Sequence, residues 1–185
     1  MMDAKEIIAA FEGKLNEFHL PRSKELPDID FYMDQVVSIM EKQLSHLSFE
    51  GSTKVITPAM INNYVKLGII PPPGKKRYTK EHLCYLFIIC ALKAVLPIPA
   101  ISQIIKIQTR RQSVYELYDI FCEAYENMLK EATDTTGEIL LENMESLEDS
   151  LAKLSLFMAI NASTTQHIAA SAIKTFSDDS EEKKE

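Results

Sequence analysis

Three consecutive prolines, Pro71 to Pro73, interrupt a chain in which every long segment has a helical pattern of apolar residues. Proline lacks the backbone N–H that a helix interior needs, so the helix before this run must end. Gly68 lies where a left-handed residue commonly closes a helix. Residues 75–77 then add three adjacent cations, with no acid before Glu81. The sequence therefore predicts a stiff, basic turn between two helices.

The segment before the turn predicts a short helix with clear ends. Thr57 is a good N-cap residue, and Pro58 occupies the first helical position, where its missing N–H has no cost. The apolar side carries Ile61, Tyr64, Val65 and Leu67. The other side carries Ala59, Asn62, Asn63 and Lys66. Asparagine is a poor helix former, so two in succession on an outer stripe require an explanation.

The segment after the turn predicts the centre of a core. Thr79 can cap a helix, and the run LCYLFIICALKAVL is apolar nearly all round. We expect it to be the central buried helix of an all-α protein. Cys84, Cys90 and Cys122 are an odd number within apolar patterns. This favours reduced core thiols in a cytoplasmic protein over a disulfide framework.

The charge of the chain is strongly segregated. Residues 1–50 carry 5 basic and 10 acidic groups, residues 51–111 carry 10 and 1, and residues 112–185 carry 5 and 16. The balances are therefore −5, +9 and −11, within a net charge of −7. A positive middle attracts polyanions, whereas the flanks repel them. Segregation by chance is the simpler alternative.

The order of a helix, a capped helix with a polar stripe, a basic turn and a buried helix is the layout of a winged helix-turn-helix. In that fold the second helix enters the DNA major groove, and the wing places cations on phosphates. Asparagine can pair bidentately with adenine in that groove. The predicted DNA contacts are Thr57, Ala59, Asn62, Asn63, Lys66, Lys75, Lys76, Arg77, Tyr78 and Lys80, with Tyr78 also expected to pack beneath the wing.

The run ITPAMINNYVKLGIIPPPGKKRYTKEHLCYLFIICALKAVLPI resembles a bacterial family catalogued as domain of unknown function 1836. That family's hallmark, T-P-x-M-I-N-N-Y-V-K, matches residues 57–66. The patterns NNYVKLGIIPPP and KKRYTKEHL are also similar to the MerR signature. The resemblance covers residues 27–110 and implies a MerR-like winged helix-turn-helix. It implies no settled function for the family.

The chain also departs from MerR proteins. Asn62 takes the position of their phosphate-binding arginine, and the loop SFEGSTKV is long for a helix-turn-helix connection. The polar stripe could instead be ordinary solvated helix surface, and the wing a solvated hairpin tip. The alternative function is a protein-interaction module, in which the same scaffold docks an acidic partner without binding DNA.

The C-terminal part predicts a helical, coiled-coil-like dimerisation region. Apolar residues from Leu140 to Met158 alternate steps of four and three, as in a heptad seam. The expected dimer contacts are Leu117, Phe121, Met128, Leu140, Met144, Leu147, Leu151 and Leu154. Folding back to complete the core is the competing interpretation. An unidentified small-molecule or protein effector would bind in the same region.

These patterns predict four parts. They are an acidic helix and connector (1–26), the DNA-binding domain (27–110), the dimerisation or effector region (111–176) and a disordered acidic tail (177–185).

Several function classes are not expected. The chain has no nucleophile elbow, phosphate loop or paired-carboxylate motif, so we expect neither an enzyme nor a cofactor. The four histidines share no local ligand spacing, so no metal site is expected. No apolar run is long enough to span a membrane, and no secretory signal is apparent. We expect a cytoplasmic regulator that binds double-stranded DNA as a homodimer.

Overall fold

A computed structural model of the protein describes residues 6, 9–10, 13, 18–44, 54–142 and 146–182, with side chains described except at 137–142, 147 and 176–182. The chain divides into two compact units, 21–122 in one and 1–20 with 123–185 in the other. The described residues include six helices with defined ends: α1 (Met33–Gln43), α2 (Pro58–Lys66), α3 (Lys80–Leu92), α4 (Ile98–Gln108), α5 (Val114–Glu142) and α6 (Leu147–Glu182). The all-α prediction is confirmed.

The core of the 21–122 unit is centred on α3, as the sequence predicts. Eight side chains of this helix are buried, including both of its cysteines. Phe87 of α3 stacks on Tyr118 of α5, with ring centroids 5.5 Å apart. Burial raises the pKa of the Cys84 and Cys90 thiols to about 12 each. Cys122 is buried and free as well, which confirms the expectation of unpaired core thiols.

The ends of α2 are closed as expected. The Thr57 hydroxyl accepts a hydrogen bond from the Met60 backbone N–H at 3.3 Å, and Pro58 is the first helical residue. Gly68 has φ +64°, and the Ile69 N–H donates to the Tyr64 carbonyl at 3.0 Å. This bond and the Gly68 N–H bond to the Val65 carbonyl form a Schellman motif.

Leu67 corrects the predicted apolar side of α2. Its side chain is 53% exposed, whereas Ile61 and Tyr64 are buried. Leu67 is the C-cap residue and still has helical backbone angles, with φ −78° and ψ −2°. At 3.6 residues per turn its side chain lies about 120° around the helix from that of Ile61, which places it beyond the edge of the buried side.

The connector before α1 contains Pro21 and Pro27 but is not simply extended. Residues 23–25 form a turn whose Ser23 N–H and hydroxyl both donate to the Asp119 carboxylate, at 2.6 and 2.7 Å. The Tyr118 hydroxyl donates to the Pro21 carbonyl at 2.8 Å. Two side chains of α5 therefore satisfy the polar groups of this segment, a pairing across about a hundred residues that local patterns cannot reveal.

The second unit contains the remainder of α5 and the whole of α6. The Leu20 N–H donates to Glu126 at 2.9 Å, and Phe18 packs against Tyr125 with ring centroids 5.6 Å apart. Helix α5 continues through Gly137, a poor helix former, to Glu142. In this part of the helix the hydroxyls of Thr133, Thr135 and Thr136 donate to the backbone carbonyls four residues earlier. Helix α6 extends to Glu182, into the predicted tail.

Candidate nucleic-acid interface

The polar stripe of α2 faces solvent. All four of its residues are exposed: Ala59, Asn62, Asn63 and Lys66. The other side of the helix is held in the core by Ile61 and Tyr64, and burial raises the pKa of the Tyr64 hydroxyl. A helix that is fixed along its back and exposes amide side chains along its front can offer paired donors and acceptors to a base edge.

The basic turn is a tight hairpin turn over residues 74–77. The Arg77 N–H donates to the Gly74 carbonyl at 2.9 Å, and these two residues form an antiparallel bridge. Lys75 has φ +51° and Lys76 has φ +62°. Two successive left-handed residues are typical of a type I′ turn, where Asn and Gly are usually found. Lysines at these positions carry backbone strain, which is most often found at functional sites.

The hairpin is joined to the residues just before α1. The Phe31 N–H donates to the Tyr78 carbonyl at 2.7 Å, and the Tyr78 N–H donates back to the Phe31 carbonyl at 2.9 Å. Both side chains are buried. Tyr78 therefore packs beneath the hairpin turn as expected, but at 3% exposure its side chain supports the turn and is too buried to serve as the predicted DNA contact.

His82 helps to fix the base of the hairpin turn, a role that the sequence did not predict. Its Nδ1 accepts a hydrogen bond from the Thr79 backbone N–H at 3.0 Å, and its ring meets Tyr78 edge-on with centroids 5.2 Å apart. The side chain is 4% exposed, and burial lowers the pKa of the imidazole despite the opposing effects of Glu81 and the Pro71 carbonyl. A neutral ring with its proton on Nε2 fits this arrangement, because Nδ1 must be an acceptor.

Arg77 lies against an aromatic ring, that of Tyr32, which the sequence patterns did not indicate as part of the site. Its Cζ atom is 3.6 Å from the ring centroid of Tyr32, and its Nη2 donates to the Tyr32 hydroxyl at 2.5 Å. The contact lies at the surface, because Arg77 as a whole is partly exposed and Tyr32 is 51% exposed. The only available signal was the position of Tyr32 next to an apolar residue at the start of a helix.

Lys80 makes a second cation–π contact. Its Nζ is 5.4 Å from the ring centroid of Tyr115, in the first turn of α5. The carboxylates of Glu81 and Asp28 lie near enough to raise the pKa of Tyr115, after the larger effect of its own burial. Lys80 therefore has acidic groups near it, whereas Lys75 and Lys76 at the tip of the hairpin turn form no ion pair with a described carboxylate.

The remaining cations of residues 51–111 differ in how exposed they are to a ligand in solution. Lys93 donates to the Val55 carbonyl and lies near the Met60 sulfur, so it ties α3 to the residues before α2. Lys106, Arg110 and Arg111 are exposed at the end of α4. Lys75 and Lys76 are exposed at the tip of the hairpin turn. The positive charge of this segment is thus mostly on the surface.

The residues predicted for dimerisation differ in exposure. Met128 is 69% exposed and Leu151 is partly exposed, whereas Leu154 is buried. Leu117 and Phe121 are intermediate. Leu140, Met144 and Leu147 lie outside the described side chains. The prediction of a dimer contact at these residues stays untested.

These features define an all-α protein whose 21–122 unit exposes a polar helix and a basic hairpin turn. A family described as domain of unknown function (DUF1836) matches residues 21–128, which is more than half of the chain. The chain belongs to this family, as the resemblance predicted. No curated protein and no solved structure matches it significantly.

Two further findings concern other functions. In the ranges that the structure describes, no helix is both long enough and apolar enough to cross a bilayer. Within the same ranges, His, Cys, Asp and Glu side chains nowhere gather in a group of three that could hold a metal ion.

Proposed function

We propose that this protein is a transcription regulator that binds double-stranded DNA as a homodimer through a MerR-like winged helix-turn-helix. In this proposal α2 lies in the major groove, and residues 74–77 form the wing that contacts the adjacent phosphates. The observation that carries the proposal is the exposed stripe of α2, whose two asparagines and one lysine face solvent from a helix with a buried back.

The wing supports the same function. Lys75 and Lys76 occupy a strained turn with their side chains exposed, and neither forms an ion pair with a described carboxylate. Cations without internal partners lose no folding interaction when they bind phosphate. The tight turn also limits the conformational entropy that binding must overcome. The −11 balance of residues 112–185 keeps that part of the chain away from a polyanion.

Dimerisation is supported by the apolar stripe along α6. Phe157, Ile160 and Ile168 are exposed at spacings of three and eight residues, which keep them on one side of a helix. Exposed apolar side chains in such a row are typical of a surface that pairs with another helix. A symmetric dimer presents two recognition helices and doubles the phosphate contacts, which a single small domain needs for tight specific binding.

The test of this function separates base recognition from general attraction to DNA. Genomic fragments are selected with the purified protein, and affinities for a selected duplex and a random duplex are compared. Asn62→Ala and Asn63→Ala should each weaken binding to the selected site by about 1–3 kcal/mol and leave random binding unchanged. Ser38→Ala, an exposed polar position on α1, is the control. Failure to enrich any sequence would contradict sequence-specific recognition.

A second candidate function is a protein-interaction module that docks an acidic partner. The exposed Leu67 favours it, because a protein partner could bury this apolar side chain at the end of α2, whereas DNA phosphates could not. Two results together would favour this alternative. The parent would bind neither duplex, and the Leu67→Ser variant would lose a protein partner that the parent retains.

A further inference from the structure

Tyr32 and Arg77 are held together by the backbone as well as by their side chains. The antiparallel pairing of Phe31 with Tyr78 uses both possible hydrogen bonds, and each of these residues is a chain neighbour of the pair. Residues one step along such a ladder lie directly opposite each other, with side chains on the same face. The contact between the ring and the guanidinium is therefore a consequence of strand register.

The contact leaves hydrogen-bond donors directed at solvent. The Tyr32 oxygen accepts from Arg77 Nη2, so the hydroxyl proton of Tyr32 is available to donate. The guanidinium has five N–H donors and keeps most of them free after this bond. Among the described residues, no carboxylate forms an ion pair with Arg77. A planar cation and a neighbouring hydroxyl donor are complementary to two oxygens of one phosphate.

The hairpin does not need this contact to form. Its turn is closed by the bond between Arg77 and Gly74, and its base is fixed by the Phe31–Tyr78 pairing and by buried Tyr78. An aromatic ring beneath an exposed cation adds little to folding. What the ring does provide is orientation, because stacking fixes the plane of a side chain that otherwise samples many rotamers.

We propose that Tyr32 and Arg77 form a phosphate clasp, in which Arg77 supplies the charge and Tyr32 both positions it and donates a second hydrogen bond. The ligand is a phosphodiester group of the DNA backbone. The proposal rests on the proposed function and adds to it a residue outside the recognition helix and the wing.

The test compares Tyr32→Phe, Tyr32→Leu and Arg77→Ala for binding to one selected genomic duplex over a series of salt concentrations. Arg77→Ala should lower the slope of log K against log salt by roughly 0.9, the value for one lost phosphate contact. Tyr32→Leu should lower the slope in part, because Arg77 remains but is no longer oriented. Tyr32→Phe keeps the ring and loses the hydroxyl, so affinity should fall about tenfold with the slope unchanged.

Combining Tyr32→Leu with Arg77→Ala should weaken binding by less than the product of the two single effects, because the residues act together. The clasp would be overturned if Tyr32→Leu keeps the affinity and salt slope of the parent while Arg77→Ala binds more weakly. That result would leave the proposed function intact. Failure of the parent to bind any duplex would overturn both. If Tyr32→Leu lowers the melting temperature markedly, the clasp is judged on the affinity of Tyr32→Phe instead, because that substitution preserves the packing of the ring.

Discussion

At the scale of single residues, the wing tip combines strain with charge. Lys75 and Lys76 hold left-handed backbone conformations that cost L-residues about 1–2 kcal/mol each. Folding alone would favour Asn and Gly at these two positions. The presence of two lysines indicates that the side chains are kept for another purpose, and phosphate binding is the purpose that the charge and exposure support.

Replacing both lysines tests this conflict between stability and binding. The double variant Lys75→Asn, Lys76→Gly should be more stable, with a free energy of unfolding about 1 kcal/mol above that of the parent. The energy gained by relieving backbone strain should exceed the entropic cost of ordering a glycine. It should also bind DNA more weakly, because two cations are lost. Urea denaturation and a binding titration measure the two effects. A variant that is less stable than the parent would show that the turn conformation is not strained.

His82 predicts a particular dependence of stability on pH. Burial holds its pKa in the folded state below that in the unfolded chain, so the unfolded chain takes up more protons as the pH falls below about 6.5. The contribution of His82 is therefore present above this pH and is lost as the pH falls through the folded-state pKa. Thermal melts between pH 7.5 and 5 should show a smaller acid destabilisation in His82→Gln. An identical pH profile for both proteins would rule out this role.

At the scale of helices and turns, the ends of α2 were predicted well because their signals are local. The threonine cap, the proline at the first position and the glycine at the end each act through their immediate neighbours. The burial of α3 was also predictable, because an all-round apolar helix has few other stable locations. The Tyr32–Arg77 contact and the Asp119 carboxylate beneath Ser23 were missed, because they join residues 45 and 96 positions apart.

Gly68 and Gly74 provide a matched pair for testing the end of α2. Neither glycine has a neighbouring atom within 4 Å of an added Cβ, but only Gly68 has a positive φ. Gly68→Ala should therefore lower the free energy of unfolding by about 1 kcal/mol through backbone strain alone. Gly74→Ala should be close to neutral. Equal effects of the two substitutions in chemical denaturation would contradict the assignment of the Schellman glycine.

At the scale of the whole molecule, the segregation of charge and the apolar stripe of α6 support different roles for different parts of the chain. The positive segment carries the proposed DNA surface, and the acidic C-terminal part carries the proposed dimer contact. Sequence periodicity placed the seam between Leu140 and Met158. Within that range Leu154 is buried, and the exposed stripe proposed for the dimer runs from Phe157 to Ile168.

Charge substitutions on α6 test the dimer. Phe157→Glu with Ile168→Glu should give a folded monomer at tens of micromolar, roughly the concentration at which the parent is expected to be a dimer. Ala152→Glu with Ala159→Glu adds the same charge on the opposite side of the helix and should leave assembly unchanged. Sedimentation velocity distinguishes these results. A monomeric parent under the same conditions would contradict the proposed assembly.

The most direct measurement of the central claim is a salt titration of binding to one selected duplex and one random duplex. The variant carries Lys75→Ala, Lys76→Ala and Arg77→Ala. Its control carries Lys24→Ala, Lys130→Ala and Lys174→Ala, which remove the same charge from exposed positions elsewhere. The wing variant should bind both duplexes more weakly and lose roughly 0.9 units of slope for each phosphate contact. Its melting temperature should not fall, because exposed charges contribute little to folding. If the wing variant and the control both bind as tightly as the parent, the wing does not contact DNA and the proposed function is wrong.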